Sequence, residues 1–380
     1  MIPPKALLVG ALSAVALALA LSAPALAEPP PPVDARAYFV VNGASGEVLA
    51  QRDARERLPM ASLTKMMTVL LTLDHARPSA VATVPRDVTS VGESSIYLRG
   101  GERLSVLDLL EGALIPSAND AADTLADYVG HGDEEGFVRM MNRRARRLGL
   151  TDTHYVRPDG LDTPGHVSSA RDVTKLARIL MRRPLFRKIV RQTTATIGGG
   201  RTIYTRNNLL YSFPGTIGVK TGHTDLAGWS EVAAVRRNDV TIYATILHSP
   251  SEAQRDADLS SLLTWALSQY RKATLVQRGR MYAEVPTGFG RKDVRAVALH
   301  SVVRPVRVGR PLVERIVVRS GADLPVQRGE PLGQIRFYAG GRLVAATRLV
   351  AATSVSHPGV VSRIGWYIGR TFHHLLGALT

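Results

Sequence analysis

Three short clusters carry side chains able to do chemistry: Ser62-Leu63-Thr64-Lys65, Ser117-Ala118-Asn119 and Lys220-Thr221-Gly222. Any one of them alone is an ordinary surface grouping. Their combination is specific, because the chain has only seven lysines and two stand in these clusters. A serine and a lysine three positions apart share one helix face, so Ser62 Oγ and the Lys65 amine can meet. At the start of a helix, Ser62 would also sit near the positive end of the dipole, which favours its alkoxide. Met66, Met67, Val69 and Leu70 would bury Lys65, and burial disfavours an ammonium. A neutral lysine can then act as base toward the serine, which is the chemistry of nucleophilic acyl transfer.

Ser117 follows the apolar run 109–115 and Pro116, as expected of a side chain presented from a loop at the edge of a core. There it could relay a proton to a leaving amine, while Asn119 could hold Lys65 and a substrate amide. The plainer alternative is that both cap a helix starting at Asp120. Lys220 to Gly222 ends a strand-like run, 216–219, and precedes a turn over 223–228. An edge strand there can pair with a peptide backbone as an added strand, and Gly222 would permit close approach. Lys220 and Thr221 would offer positive charge and a hydroxyl to a terminal carboxylate. The alternative is a hairpin carrying a solvated lysine.

The elements that must position these groups follow from patterning. With 380 residues and 45% apolar content, the chain exceeds one ordinary core, so two folded units are expected. Residues 1–27 read as a secretory signal, with Lys5, an apolar run and small residues at Ala25 and Ala27; an uncleaved anchor is the alternative. Pro29 to Pro32 lie in a spacer, 28–36. Residues 37–41 and 47–51 read as a strand hairpin. The almost wholly apolar run 61–76 reads as a core helix. Further helices are expected over 106–115, 120–129, 137–148 and 170–181. Strands follow over 209–219 and 230–247, so one sheet draws on both ends of a domain spanning 37–271, which closes with a helix near Tyr270. Residues 272–352 change to short strands with Gly and Pro punctuation and read as a separate all-β domain. Residues 359–380 read as an amphipathic helix lying on a membrane surface, or docked on the protein itself.

The formal charge of +16 favours anionic partners, and for an exported chain these are lipid headgroups or acidic wall polymers. No aromatic-basic signature of nucleic-acid binding occurs. Without cysteine no disulfide framework can exist. No GxSxG elbow, HExxH pair or Walker loop is present, and no cofactor or metal is expected.

The three clusters, with Asn119-Asp120-Ala121, Gly160-Leu161-Asp162, Ser168-Ser169-Ala170 and Lys220-Thr221-Gly222-His223-Thr224, resemble the D-alanyl-D-alanine carboxypeptidases among the low-molecular-mass penicillin-binding proteins. The resemblance covers roughly 37–270, and the β domain and terminal helix match that family's layout. It implies a mixed α/β serine β-lactamase/DD-peptidase-like domain with an antiparallel sheet and helices, acting on stem peptides ending in D-Ala-D-Ala and inhibited by β-lactams. It implies Ser62 as nucleophile, Lys65 as general base, Ser117 and Asn119 as a second element, Lys220 and Thr221 as a carboxylate-binding strand, and the backbone amides of Ser62 and His223 as oxyanion hole. Arg206 resembles an arginine near the substrate carboxylate. Two departures stand out: Ala118 occupies a position where Gly is common, and the segment from Arg206 to Lys220 is slightly short. It further implies an enzyme peripheral to the outer face of the cytoplasmic membrane, bound to its anionic surface by the terminal helix. The rivals are a β-lactamase, whose Glu-x-x-Leu-Asn pattern is absent between Asp120 and Lys220, a DD-endopeptidase, and a nonenzymatic wall-binding scaffold.

Overall fold

The structure, a computed structural model, describes residues 28–86, 92, 94–360, 364 and 366. The expected leader over 1–27 and most of the expected terminal helix over 359–380 lie outside the described residues. The chain divides into two compact units, Glu28–Gln269 and a C-terminal unit starting at Tyr270.

In the larger unit β1 (Ala37–Asn42) and β2 (Val48–Arg52) form the expected hairpin. All six residues of β1 are buried, as suits a strand inside a sheet covered on both faces. A 3-10 turn, Ala61–Thr64, runs directly into α1 (Lys65–His75), and every residue from Lys65 to Thr72 is buried. β3 (Val81–Thr83) pairs with β4 (Arg103–Ser105). Ser105 then starts α2 (Val106–Leu114) through a reciprocal capping box with Asp108. Next come α3 (Asn119–Gly130), α4 (Glu134–Leu148), α5 (Ala170–Leu180) and α6 (Pro184–Ile189). Asp133 caps α4 at its start, and Gly149, at a φ of 65°, ends it. After the hairpin β5 (Thr194–Ile197) and β6 (Arg201–Tyr204) come α7 (Leu209–Ser212), β7 (Thr216–Thr224), β8 (Gly228–Arg237), β9 (Val240–Ser249) and α8 (Glu252–Ser268).

The main sheet has the order β2-β1-β9-β8-β7 and is antiparallel throughout. β1 pairs with β9, so the two ends of the unit close one sheet, and β7 is left at the edge. α1 is embedded in the core with Leu110, Leu125, Val219, Val232 and Leu247. This is the mixed α/β architecture that the patterning and resemblance implied.

Two expectations need correction. Residues 230–247 are not one strand but parts of the hairpin β8-β9, turned at Asn238 and Asp239, whose φ values of 48° and 64° suit a two-residue hairpin turn. Residues 209–219 are not one strand: 209–212 form the helical turn α7, and β7 begins only at Thr216. The Asn207 side chain accepts the Leu209 N–H at 3.1 Å, which starts a turn. Pro214 and Gly215, the latter at a φ of 89°, then redirect the chain.

In the C-terminal unit residues 270–351 form seven strands, β10 (Tyr270–Val276), β11 (Met281–Val285), β12 (Val294–Ala298), β13 (Val302–Arg307), β14 (Leu312–Val318), β15 (Pro331–Ala339) and β16 (Arg342–Ala351). β10 pairs with β13, and the other five form a sheet in the order β11-β12-β16-β15-β14. Its own core includes Val285, Val294, Leu332, Ile335 and Leu349. Among the described residues no helix is long and apolar enough to cross a membrane.

Candidate active site

Ser62 lies in the 3-10 turn, half-buried, and Lys65 opens α1 with no exposed surface. Lys65 Nζ stands 2.8 Å from Ser62 Oγ, and it donates to Asn119 Oδ1 at 2.6 Å and to the carbonyl oxygen of Asp159 at 2.7 Å. The i, i+3 spacing thus brings serine and amine together inside the core.

The turn presenting Ser62 is held from below. Ala61 opens it at a φ of 48°, and Gly160, at a φ of 95°, sits where a Cβ would fall 2.1 Å from the Ala61 carbonyl oxygen. Only glycine allows that approach. Thr64 Oγ1 donates to Ala61 O at 2.8 Å and meets His166 Nε2 at 2.7 Å. His166 Nδ1 accepts the Val156 N–H at 3.0 Å, so the ring proton belongs on Nε2. Burial pushes the His166 pKa down to about 4.

Ser117, at a φ of 69°, and Asn119 stand at the loop-to-helix junction before α3. Neither caps the helix: its N-cap is Ala118, without a side-chain cap bond. Asn119 instead accepts from Lys65 and donates through Nδ2 to Gly92 O at 2.9 Å. Ala118 has an ordinary φ of −63°, so nothing in its backbone requires the glycine common at this place. Asp120 gathers the neighbouring loop by accepting from Ser95 Oγ at 2.6 Å and Leu98 N–H at 3.0 Å.

The third cluster lies on edge strand β7. Lys220, only 2% exposed, donates to Ser117 Oγ at 2.7 Å and to Thr221 O at 2.7 Å. It is therefore no solvated hairpin lysine. Burial above all, with the Arg206 charge nearby, holds its amine well below the usual lysine range. A Cβ on Gly222 would meet the Ser62 backbone nitrogen at 3.1 Å, so the strand passes close against the serine turn. Thr221 is buried beside it. His223 is exposed, its ring 4.0 Å from that of Trp229 between centroids. Arg206 is exposed, and its N–H donates to Ile115 O at 3.3 Å, two residues ahead of Ser117. That backbone bond sets Arg206 beside the loop that carries Ser117.

Besides His166, three supports were not assigned from sequence. The Asp159 carbonyl holds Lys65, while its carboxylate pairs with Arg157. Asp162 accepts from Thr224 Oγ1 at 2.6 Å and Leu226 N–H at 3.0 Å, fixing the turn after β7. Behind Thr221, its β8 partner Glu231 forms a buried ion pair with Arg255 at 3.2 Å. Burial pushes Glu231 up to about 7. The Gly160-Leu161-Asp162 run was the visible signal for the first two supports, but only the fold shows what it holds.

Residues 24–251 match the family described as D-alanyl-D-alanine carboxypeptidase, and 270–357 match the C-terminal domain of penicillin-binding protein 5. The chain is 32% identical over 365 residues to the D-alanyl-D-alanine carboxypeptidase DacC of Escherichia coli, covering 92% of this chain and 91% of that protein. It is 31% identical over 367 residues to DacD of Salmonella typhimurium, covering 92% and 94%. A solved penicillin-binding protein 5 from Haemophilus influenzae superposes with a TM-score of 0.63 at 25% identity, covering 87% of this chain and 100% of that one. With the serine–lysine pair, the second cluster and the edge strand meeting at one cleft, the chain belongs to the D-alanyl-D-alanine carboxypeptidase family of serine peptidases.

Proposed function

We propose that this chain removes the terminal D-alanine from peptidoglycan stem peptides through an acyl enzyme on Ser62. The observation that carries the reading is the buried Lys65 amine 2.8 Å from Ser62 Oγ. A neutral Lys65 takes the hydroxyl proton as Ser62 Oγ attacks the carbonyl of the D-Ala-D-Ala bond. Asn119 and Asp159 O fix the amine, so little reorganisation is needed during the transfer. The backbone amides of Ser62 and His223 receive the developing oxyanion. As the C–N bond to the leaving D-alanine breaks, the proton taken up by Lys65 is relayed to the leaving amine through Ser117, which Lys220 contacts at 2.7 Å. Lys65 is then neutral again and Ser117 keeps its hydroxyl. Water then attacks the ester carbonyl, giving one proton to Lys65, which returns it to Ser62 Oγ as the ester bond breaks and the shortened peptide leaves.

The substrate backbone adds to edge strand β7 beside Thr221 and Gly222. Its terminal carboxylate meets the Thr221 hydroxyl and the positive charge of Arg206. A β-lactam would acylate Ser62 by the same attack, and without a Glu-x-x-Leu-Asn base the acyl enzyme should persist. The exported chain, cleaved near residue 27, would work at the outer face of the cytoplasmic membrane, held to its anionic surface by the amphipathic stretch 359–380. Deleting 359–380 should free the protein from membranes, and continued pelleting with them would refute the anchor.

The decisive assay incubates the chain 28–380 with a labelled penicillin and with a pentapeptide ending in D-Ala-D-Ala. Stable labelling and D-alanine release should both vanish in Ser62→Ala, and release should fall by about 100-fold or more in Lys65→Ala. Rapid turnover of penicillin would instead mark a β-lactamase. Cleavage of cross-linked dimers without D-alanine release would mark an endopeptidase, and no reaction at all a scaffold.

A further inference from the structure

The basic surplus of this chain is unevenly divided. Residues 28–269 hold 29 Lys and Arg against 27 Asp and Glu, whereas residues 270–360 hold 16 against 5. The peptidase unit is nearly neutral and the β unit carries a net +11. The β unit therefore holds a surplus that the proposed reaction does not use.

Strand register places part of that surplus on one sheet face. Arg315 on β14 lies directly opposite Arg336 on β15, and Arg348 on β16 lies opposite Gln334 in the next row. Like charges directly opposite one another cost stability, so the Arg315 and Arg336 pairing invites an anion between them. Arg315 is partly accommodated over the Tyr338 ring, 5.2 Å from its centroid. The nearest acidic residue of β14, Glu314, alternates to the other face, opposite Phe337 of the unit's core.

The same face exposes large apolar side chains: Val313 at 48%, Val317 at 37% and Leu343 at 56%. Val313 and Leu343 both pair with Tyr338, so the apolar groups are interleaved with the arginines. We propose that the β14-β15-β16 face lies on an anionic phospholipid surface, with the arginines at the headgroup phosphates and Val313, Val317 and Leu343 in the acyl boundary. A soluble polyanion would reward the arginines and leave the aliphatic groups in water; a lipid interface rewards both, since arginine stems and tyrosine also suit it. This contact is separate from the stretch 359–380 and from the cleft at Ser62.

Sedimentation of the chain 28–380 with phosphatidylcholine vesicles, with and without phosphatidylglycerol, tests the proposal. Residues 359–380 are kept in every protein, so their contribution is common to all. The variant R315E/R336E/R348E should bind phosphatidylglycerol vesicles roughly tenfold or more weakly. The variant V313S/V317S/L343S should lose affinity severalfold even in high salt, where charge is screened. Unchanged penicillin labelling of Ser62 and unchanged melting would show that both variants are folded. Wild-type binding by the charge variant would overturn the proposal. So would an inert apolar substitution combined with competition by linear polyphosphate, which would mark a soluble polyanion as the partner. A change in the free protein's oligomeric state with vesicle binding intact would assign the face to a second copy and also overturn it.

Discussion

Lys220 Nζ donates to Ser117 Oγ at 2.7 Å, joining side chains 103 positions apart from an edge strand and a helix junction. Lys65 makes the corresponding bridge to Asn119 on the other side of the same loop. The two buried lysines thus hold the three sequence clusters as one unit, each amine with an acceptor that belongs to another cluster.

Such a unit should respond non-additively to mutation. Ser117→Ala and Lys220→Ala should each lower kcat/KM for D-alanine release by about 100-fold or more. The double variant should lose hardly more than the worse single, because either change already breaks the relay. Steady-state kinetics of the four proteins check this. Fully additive losses would mean that the two residues act separately.

Gly160 should tolerate no side chain. A Cβ there meets Ala61 O at 2.1 Å, and the φ of 95° is strained for any L-residue. Gly160→Ala should cost about 3 kcal/mol or more, because the obstacle is backbone rather than a mobile side chain. Thermal melts should show a drop of roughly 6–12 °C for a unit of this size. Labelling of Ser62 should fall as well, since the colliding turn is the one that presents it. A melt matching wild type would show that the turn yields.

His166 should make the fold acid-sensitive. Its pKa is depressed from 6.5 to about 4 by burial, so the unfolded chain binds a proton that the folded one resists. Stability on this account is complete above about 6.5 and is lost as pH falls toward 4, by about 3 kcal/mol in all. Urea unfolding between these limits should show a smaller acid loss in His166→Gln, which keeps a donor for Thr64 without the titration. Identical pH dependence in both proteins would assign the acid sensitivity elsewhere.

Much of this protein was legible in its residues. The spacing of Ser62 and Lys65 decides their contact as soon as a helix forms, because i and i+3 share a face. The apolar runs mark α1 as a core helix and the β1-β2 hairpin as a strand pair. Gly222 was readable as a place of close approach, and the approach is to the Ser62 backbone.

Other features depend on pairings that sequence order does not express. Ser117 and Asn119 have the composition of helix caps, and local propensity alone favours that role. In the fold the Ser117 φ of 69° and the buried amines of Lys65 and Lys220 turn both side chains into the cleft. The break in 209–219 likewise reflects the Asn207 bond and the Pro214-Gly215 corner overriding an apolar run. The sequence by itself determined which groups react and which local elements carry them, since those follow from residue type and short spacing. Only tertiary structure decided what each buried lysine touches and how Asp159, Asp162 and His166 hold the site, because burial and long-range hydrogen bonds exist only once distant segments have packed together.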